Sequence, residues 1–342
     1  MKKIFYLSLM LLAFSCSRNE QENETAALRV QLASGIATKA TMAGTDNENR
    51  INSMQVSVFK KSGNSFIFEA AATSSSSSAT VSVTSGEKLI YAVVNAADDI
   101  TSQSSQGAIL SGTNYLKSNG SGNFIMAGQK PFTVTASQRS VSIPVSRVAA
   151  RIRLGKVTNS LSSVIAGKNV KLKSIYLTGV SAQSSYEGDG SASCFYATTG
   201  TGASLDKDGS AVTSEEKTAV NALIMNSNAS GVIAPEASFQ ADYSLYAYPN
   251  DGASRKTHLV LEVEIDGKLY TYPIVFDSIA ANSTYEISEL KIKSLGNPSN
   301  GDDTIDQGED DPVQSAAASF GIEVQPWNIF TVSNGEDGKY TI

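Results

Sequence analysis

The sequence predicts an all-β protein with a minor helical content, folded as two β-sandwich domains in tandem. Three observations predict it. Apolar residues alternate at period two along most of the chain, the signature of half-buried strands. Gly is plentiful at 26 and Pro scarce at 8, a balance that suits strands joined by polar turns. Most apolar runs are bounded by clusters of Gly, Asn, Asp or Ser, which terminate strands through turn chemistry.

The chain opens with an address. Lys2 and Lys3 form a positive start, and Ile4 to Phe14 an apolar run. That run is too short to cross a hydrocarbon core of roughly 30 Å as a helix, so residues 1–15 are expected to be a signal peptide. Leu12-Ala13-Phe14-Ser15-Cys16 resembles a lipobox, which makes Cys16 the expected site of diacylation; the alternative is an ordinary secretory signal. Residues 16–26 are polar and acidic without apolar periodicity and are expected to be a lipidated tether.

The strands follow in order. Leu28, Val30 and Leu32 alternate, then Met54 to Phe59, Phe66 to Phe68, Ala79 to Val83 and Leu89 to Val94. Phe124 to Met126, Phe132 to Val134, Val141 to Ile143 and Val148 to Leu154 complete the first half. The Ser-rich run Thr73 to Ser78 has no core-forming side chain and is expected to be a loop. In the second half Leu172 to Leu177, Tyr243 to Tyr248, His258 to Ile265, Leu269 to Phe276, Tyr285 to Ile292 and Phe320 to Phe330 are expected strands. Asp266-Gly267 between two of them is a strong hairpin signal. Thr213-Ser214-Glu215-Glu216 has capping-box spacing ahead of Val220, Leu223 and Ile224, which predicts one helix; weaker helical character lies near Ile100 to Leu110. The expected domains are 27–148 and 149–342, meeting near Arg147 to Arg151, with an acidic linker over 297–312.

Composition excludes several functions. The net charge of −6 argues against a general nucleic-acid binder, which needs a basic face for phosphates. One His and two Cys cannot furnish a Cys/His zinc site. The aspartates of 297–312 do not have EF-hand spacing, so the segment is read as a solvated linker and no metal or cofactor is expected. Glycoside hydrolysis needs only two carboxylates. No pair stands out, however; Glu187 and Asp189 read as turn residues, and His258 as an inert residue at a strand start. The chain is expected not to be an enzyme. Cys194 reads as a small buried hydrophobe. Tyr243, Tyr246, Tyr248, Tyr270 and Tyr272 cluster in two strands; packing is the expected role, and a sugar-binding platform the alternative.

Four stretches carry a family resemblance. They are Phe124-Ile125-Met126-Ala127-Gly128-Gln129, Pro144 to Ile152 around Arg147-Val148-Ala149-Ala150-Arg151, Tyr285-Glu286-Ile287-Ser288-Glu289-Leu290, and Glu323-Val324-Gln325-Pro326-Trp327. In this order, behind a lipoprotein-like signal, they resemble the FimA-type fimbrillins, the major subunits of type V pili of anaerobic Gram-negative bacteria. The resemblance implies transthyretin-like sandwiches and export as an outer-membrane lipoprotein. It further implies cleavage by a trypsin-like protease that removes the first strand. The mature form would then stand in extracellular fimbriae on the cell surface, supporting adhesion. Partners would be further copies of the chain, head to tail, with anchor and tip pilins possible and no nucleic acid.

On these residues the removable piece is 27–39, with Leu28, Val30 and Leu32 on one face, and the expected cut follows Lys39, with Arg50 the alternative. Loss of such a strand leaves unpaired backbone and open apolar pockets, which a donated strand restores. The donor or closing segment is 320–342: Phe320, Ile322, Val324, Trp327, Ile329, Phe330, Val332, Tyr340 and Ile342. Phe320 to Phe330 is expected to finish the second domain and the remainder to reach outward. The competing reading is a surface glycan-binding β-sandwich lipoprotein.

Overall fold

A computed structural model describes residues 25–32, 45–103, 105–198, 205–226, 229–298 and 318–326, the last segment as backbone. The signal, residues 16–24 of the tether and residues 327–342 lie outside them; Thr25 and Ala26, expected in the tether, are strand instead, paired with Thr84 and Val83.

The period-two runs of the first half become paired strands. These are β1 (Thr25–Leu32), β2 (Met54–Ser62), β3 (Ser65–Ser74), β4 (Ser78–Thr84) and β5 (Gly86–Val94). Then come the short helix α1 (Gln106–Leu110), β6 (Thr113–Tyr115), β7 (Met126–Val134), β8 (Ser140–Ile143) and β9 (Ser146–Arg147). Five form one sheet in the order β3-β2-β5-β7-β9, and three form another in the order β4-β1-β8. The two sheets face each other across a core of Leu28, Val30, Val56, Val81, Ile90, Ala92, Val141 and Ile143, among others.

The second half begins with β10 (Ala150–Asn159), β11 (Val170–Thr178), β12 (Val180–Ser181), β13 (Gln183–Ser185), β14 (Phe195–Thr198), β15 (Leu205–Lys207) and β16 (Ser210–Ala211). The helix α2 (Ser214–Ile224) precedes β17 (Met225–Asn226), β18 (Gly231–Ile233) and β19 (Ser238–Ala247). β20 (Thr257–Ile265), β21 (Lys268–Phe276), β22 (Ser283–Ile292), β23 (Asn297–Pro298) and β24 (Ala318–Pro326) close the described chain. One sheet runs β19-β10-β22-β24, and the sheet opposite it β17-β11-β20-β21-β23 with β18 beside β11. The architecture is therefore the tandem β-sandwich that the alternation predicts.

Both halves repeat one arrangement. The first strand of each sits between an antiparallel and a parallel neighbour: β1 between β4 and β8, β10 between β19 and β22. The second half adds β24 outside β22, antiparallel, with Tyr285 opposite Val324 and Ile287 opposite Ile322.

Local chemistry explains the punctuation. Thr213 caps α2, its side chain accepting from the Glu216 amide at 3.2 Å. Asp266 and Gly267 both have positive φ, 52° and 77°, the two-residue hairpin geometry whose twist matches the flanking strands. The Ser-rich run departs from expectation. β3 continues to Ser74 and β4 starts at Ser78, so only 75–77 turn. Ladder pairing of Ser74 with Met54 and of Ser78 with Gln31 overrides the weak intrinsic preference of serine. Phe124 and Ile125 precede β7 rather than starting it; both are buried in the larger core, where Ile125 accepts a bond from the Val148 amide at 3.0 Å. Helical character near 100–110 condenses to one short helix, α1.

Gly128 in β7 carries a packing requirement. A Cβ built there would stand 1.9 Å from the Pro144 carbonyl oxygen, in the connection from β8 to β9. Only glycine lets the two backbones approach this closely. Gly128→Ala is expected to destabilise the chain by about 1–3 kcal/mol or more through overpacking. A denaturant titration checks this, and a midpoint equal to that of the parent would refute it.

Candidate functional site

The first strand is the only described ladder partner of both its neighbours. β4 pairs with β1 from Thr25↔Thr84 to Gln31↔Ser78, and β8 pairs with it from Arg29↔Ser140 to Leu32↔Ile143. Neither pairs with any other described strand. Further backbone bonds run from the Arg29 amide to Arg139 O at 2.8 Å and from the Leu32 amide to Ser77 O at 3.0 Å. Along β1 burial alternates strictly: Ala26, Leu28, Val30 and Leu32 face the core, while Thr25, Ala27 and Arg29 face solvent. Leu28, Val30 and Leu32 are each fully buried. At about 1.5–3 kcal/mol per side chain, those three stabilise the sandwich by roughly 5–9 kcal/mol. Without β1, this sheet is two strands flanking an apolar slot.

After β1 the described chain resumes at residue 45, beside a buried charge cluster. Glu48 is 2% exposed. Its carboxylate accepts from both directions of the domain junction: from Arg151 Nη1 at 3.0 and 3.1 Å, and from the Tyr246 hydroxyl at 2.7 Å. Arg147 Nε donates to the Glu48 carbonyl at 3.0 Å, and its guanidinium also bonds Asn49 Oδ1. Arg151 Nε reaches Thr284 Oγ1 at 3.3 Å. Burial, reinforced by the Glu48 charge, pushes the Tyr246 hydroxyl above the usual tyrosine range. Residues 45–50 are thus fastened to β9, β10 and β19, and the two arginines of the Arg147–Arg151 motif do the fastening.

A second bridge ties the halves together. Lys117 Nζ lies 3.4 Å from Glu216 of α2, whose other carboxylate oxygen accepts from Tyr196 at 2.6 Å and Lys207 at 3.2 Å. β6 pairs with β13, and Tyr248 bonds Asn119 across the same seam. The seam is also apolar: one continuous core joins Phe59, Tyr91, Val93 and Phe124 to Leu154, Ile175 and Leu261.

Other candidates resolve as packing. Tyr248, Tyr270 and Tyr272 are buried and Tyr243 and Tyr246 partly so, which leaves no exposed aromatic platform on these strands. His258 is buried within β20, one residue past its start. Cys194 is half-buried, and burial together with the Asp208 contact pushes its thiol up to about 11, which leaves it protonated and unreactive at neutral pH. Among the described residues no group of three or more His, Cys, Asp or Glu side chains could hold a metal ion. Arg50 is exposed, two residues after Glu48. Cys16, Lys39, Trp327, Ile329, Phe330, Val332, Tyr340 and Ile342 lie outside the described residues, and Phe320, Ile322 and Val324 lie on β24. Sequence reasoning did not find Glu48. A lone Glu in a polar run carries no periodic signal, although the paired arginines of the junction imply an anionic partner.

The fold is a tandem β-sandwich, and the candidate site is centred on its first strand. Residues 26–172 match the family of the major fimbrial subunit protein (FimA). The resemblance to FimA-type fimbrillins therefore stands; the match contains the first two of the four motifs, and that family is one of structural subunits, not enzymes. No curated protein matches the chain at a significant level. Among solved structures, a putative cell adhesion protein from Bacteroides eggerthii shares 18% identity over 89% of this chain and 97% of its own, with a TM-score of 0.60. A fimbrilin from Porphyromonas gingivalis shares 13% identity over 90% of this chain and 99% of its own, with a TM-score of 0.58. A putative cell adhesion protein from Parabacteroides distasonis shares 17% over 88% and 96%, with a TM-score of 0.57. The shared fold spans both halves.

Two outcomes are expected. Leu28→Ala should cost about 2–5 kcal/mol in the untrimmed chain, measurable by chemical denaturation; a loss below 1 kcal/mol would show that the slot is not tightly filled. Acid should loosen α2. Burial pushes the Glu216 carboxyl up, but the bonds from Tyr196 and Lys207 and the lysine charges outweigh it, leaving the group below its ordinary 4.5. A depressed folded value contributes stability above the unfolded pKa that disappears as pH falls through the folded one. Melting temperature should therefore drop below about pH 4.5, and Glu216→Gln should flatten that drop.

Proposed function

We propose that this chain is a polymerising shaft subunit of a cell-surface fimbria. It is exported as a lipoprotein through Cys16, trimmed to remove β1, and joined head to tail when a second copy lends a strand to the vacated slot. The observation that carries the reading is the position of β1 in the middle of its sheet. A removable edge strand would leave a sheet behind. A removable central strand leaves two unpaired strands and an apolar slot that one extended segment of matching alternation refills.

The junction bears on where the cut falls. Lys39 is the only basic residue between 33 and 44, the segment that separates β1 from the fastened loop. A cut there frees β1 and leaves Glu48 with Arg147 and Arg151. A cut after Arg50 would strip Glu48 from the buried arginines, at a cost of several kcal/mol for uncompensated buried charge. Lys39 is therefore the better site for a trypsin-like protease. The donor is assigned to residues after β24, because β24 itself already lies beside β22. Beyond Phe330, Val332, Tyr340 and Ile342 supply apolar residues for that purpose. Fibres built this way would support adhesion at the surface of the outer membrane, with separate anchor and tip subunits bounding the shaft.

The experiment is a trace-trypsin digest of the purified full chain, run on a gel without boiling. The expected result is loss of the N-terminal piece together with a ladder of heat-labile polymers, abolished by deletion of 332–342. Monomers that remain dispersed after complete trimming would refute the proposal. Binding to a glycan array without a ladder would favour the glycan-binding reading instead.

A further inference from the structure

Loss of β1 poses a problem for β4 in particular. Its described ladder partner disappears, yet a donated strand can dock only if β4 stays in place. β8 is held at both ends: it follows β7 through a turn in which the Thr135 amide bonds Gln138 O at 3.2 Å, and it runs through Pro144 over Gly128 into β9, paired with β7. β4 is joined to β3 through residues 75–77 and to β5 through Ser85, and side chains add a further hold at its far end. β2 and β3 slip register between Val58 and Phe59, which leaves Glu69 as an extra, bulged residue between Phe68 and Ala70. The bulge turns its carboxylate away from the ladder. One oxygen, Oε1, accepts from the Thr84 amide at 2.7 Å and the Thr84 hydroxyl at 2.5 Å; Thr84 is the last residue of β4. The other, Oε2, lies 2.7 Å from Lys88 Nζ of β5, which also donates to Thr84 Oγ1 at 2.9 Å. The Lys88 side chain is 1% exposed and that of Glu69 9%.

A pair this deep is an expensive way to gain stability. Desolvation cancels much of the attraction, and well-packed apolar residues of similar volume often do as well or better. What the pair supplies is direction. Three groups from β3, β4 and β5 meet in one geometry, and none of the bonds involves β1.

We propose that Glu69, Lys88 and Thr84 form a clamp that holds β4 on the five-stranded sheet when β1 is absent, so that the slot stays open as a preformed acceptor for a strand from a second copy. The three act as positioning residues and deepen the fimbrial reading on which the proposal rests. The clamp is redundant while β1 is in place, since the β1 ladder then fixes β4, and it becomes decisive only in the trimmed chain. Preorganisation of this kind lowers the ordering cost of strand uptake.

The test uses the full chain lacking 332–342, trimmed with trypsin, quenched with inhibitor and offered a fluorescent peptide of the β1 sequence, TAALRVQL. The variants are Glu69→Gln with Lys88→Met, which removes both charges at similar volume, and Thr84→Val, which removes only the hydroxyl. The expected result is that the untrimmed variants melt within a few degrees of the parent, while the trimmed variants bind the peptide at least 10-fold more weakly. Hydrogen exchange should show faster exchange of the Ser78–Thr84 amides in the trimmed variants alone. If trimmed parent and variants bind the peptide equally well, the clamp is refuted and the slot stands. If the trimmed parent itself binds no peptide, the slot reading fails and the clamp falls with it. If the double variant does not fold, Thr84→Val decides by the same two readouts.

Discussion

The structure depends on one topological constraint: a single N-terminal strand is the only described ladder partner of two others. β4 and β8 are linked through β1 and not to each other. Four core-facing residues at alternate positions, Ala26 to Leu32, fill the gap between them. A strand in this position concentrates both backbone pairing and apolar burial in eight consecutive residues. It is also the first described element of the chain. β10, its counterpart in the second half, occupies the same place in its sheet.

The two halves also meet through contacts that do not involve β1. The apolar seam runs without interruption from Phe59 to Ile292, so the halves share one core rather than touching at a polar interface. Glu48 adds direction to this seam. Buried between Arg151 and Tyr246, it is satisfied from several sides, and removal of Arg151 would strand its charge in a dry environment. The chain segment that leads out of β1 is therefore anchored immediately beyond it.

Glycines and bulges place these features. Gly128 permits the close pass of Pro144 that carries β8 toward β9, and it sits in one of the four motifs of the family resemblance. The motif is thus legible as a backbone-approach requirement rather than as chemistry. The bulge at Glu69 works in the opposite direction: an irregularity in pairing frees a side chain to leave the sheet and meet Lys88.

By itself the sequence determined the strand alternation, the Thr213 helix cap, the Asp266-Gly267 hairpin and the apolar face of β1, because each is a short-range pattern whose period or turn chemistry has one solution. It also carried the resemblance to fimbrillins in four ordered motifs. Tertiary structure alone decided that β1 stands between β4 and β8, that Ser74 and Ser78 are strand, and that Glu48 meets Arg147 and Arg151 and Glu69 meets Lys88. Those facts rest on pairings between residues about 20 to 110 positions apart. An isolated polar residue has no period from which its distant partner can be read, and only closure of the core fixes which one it meets.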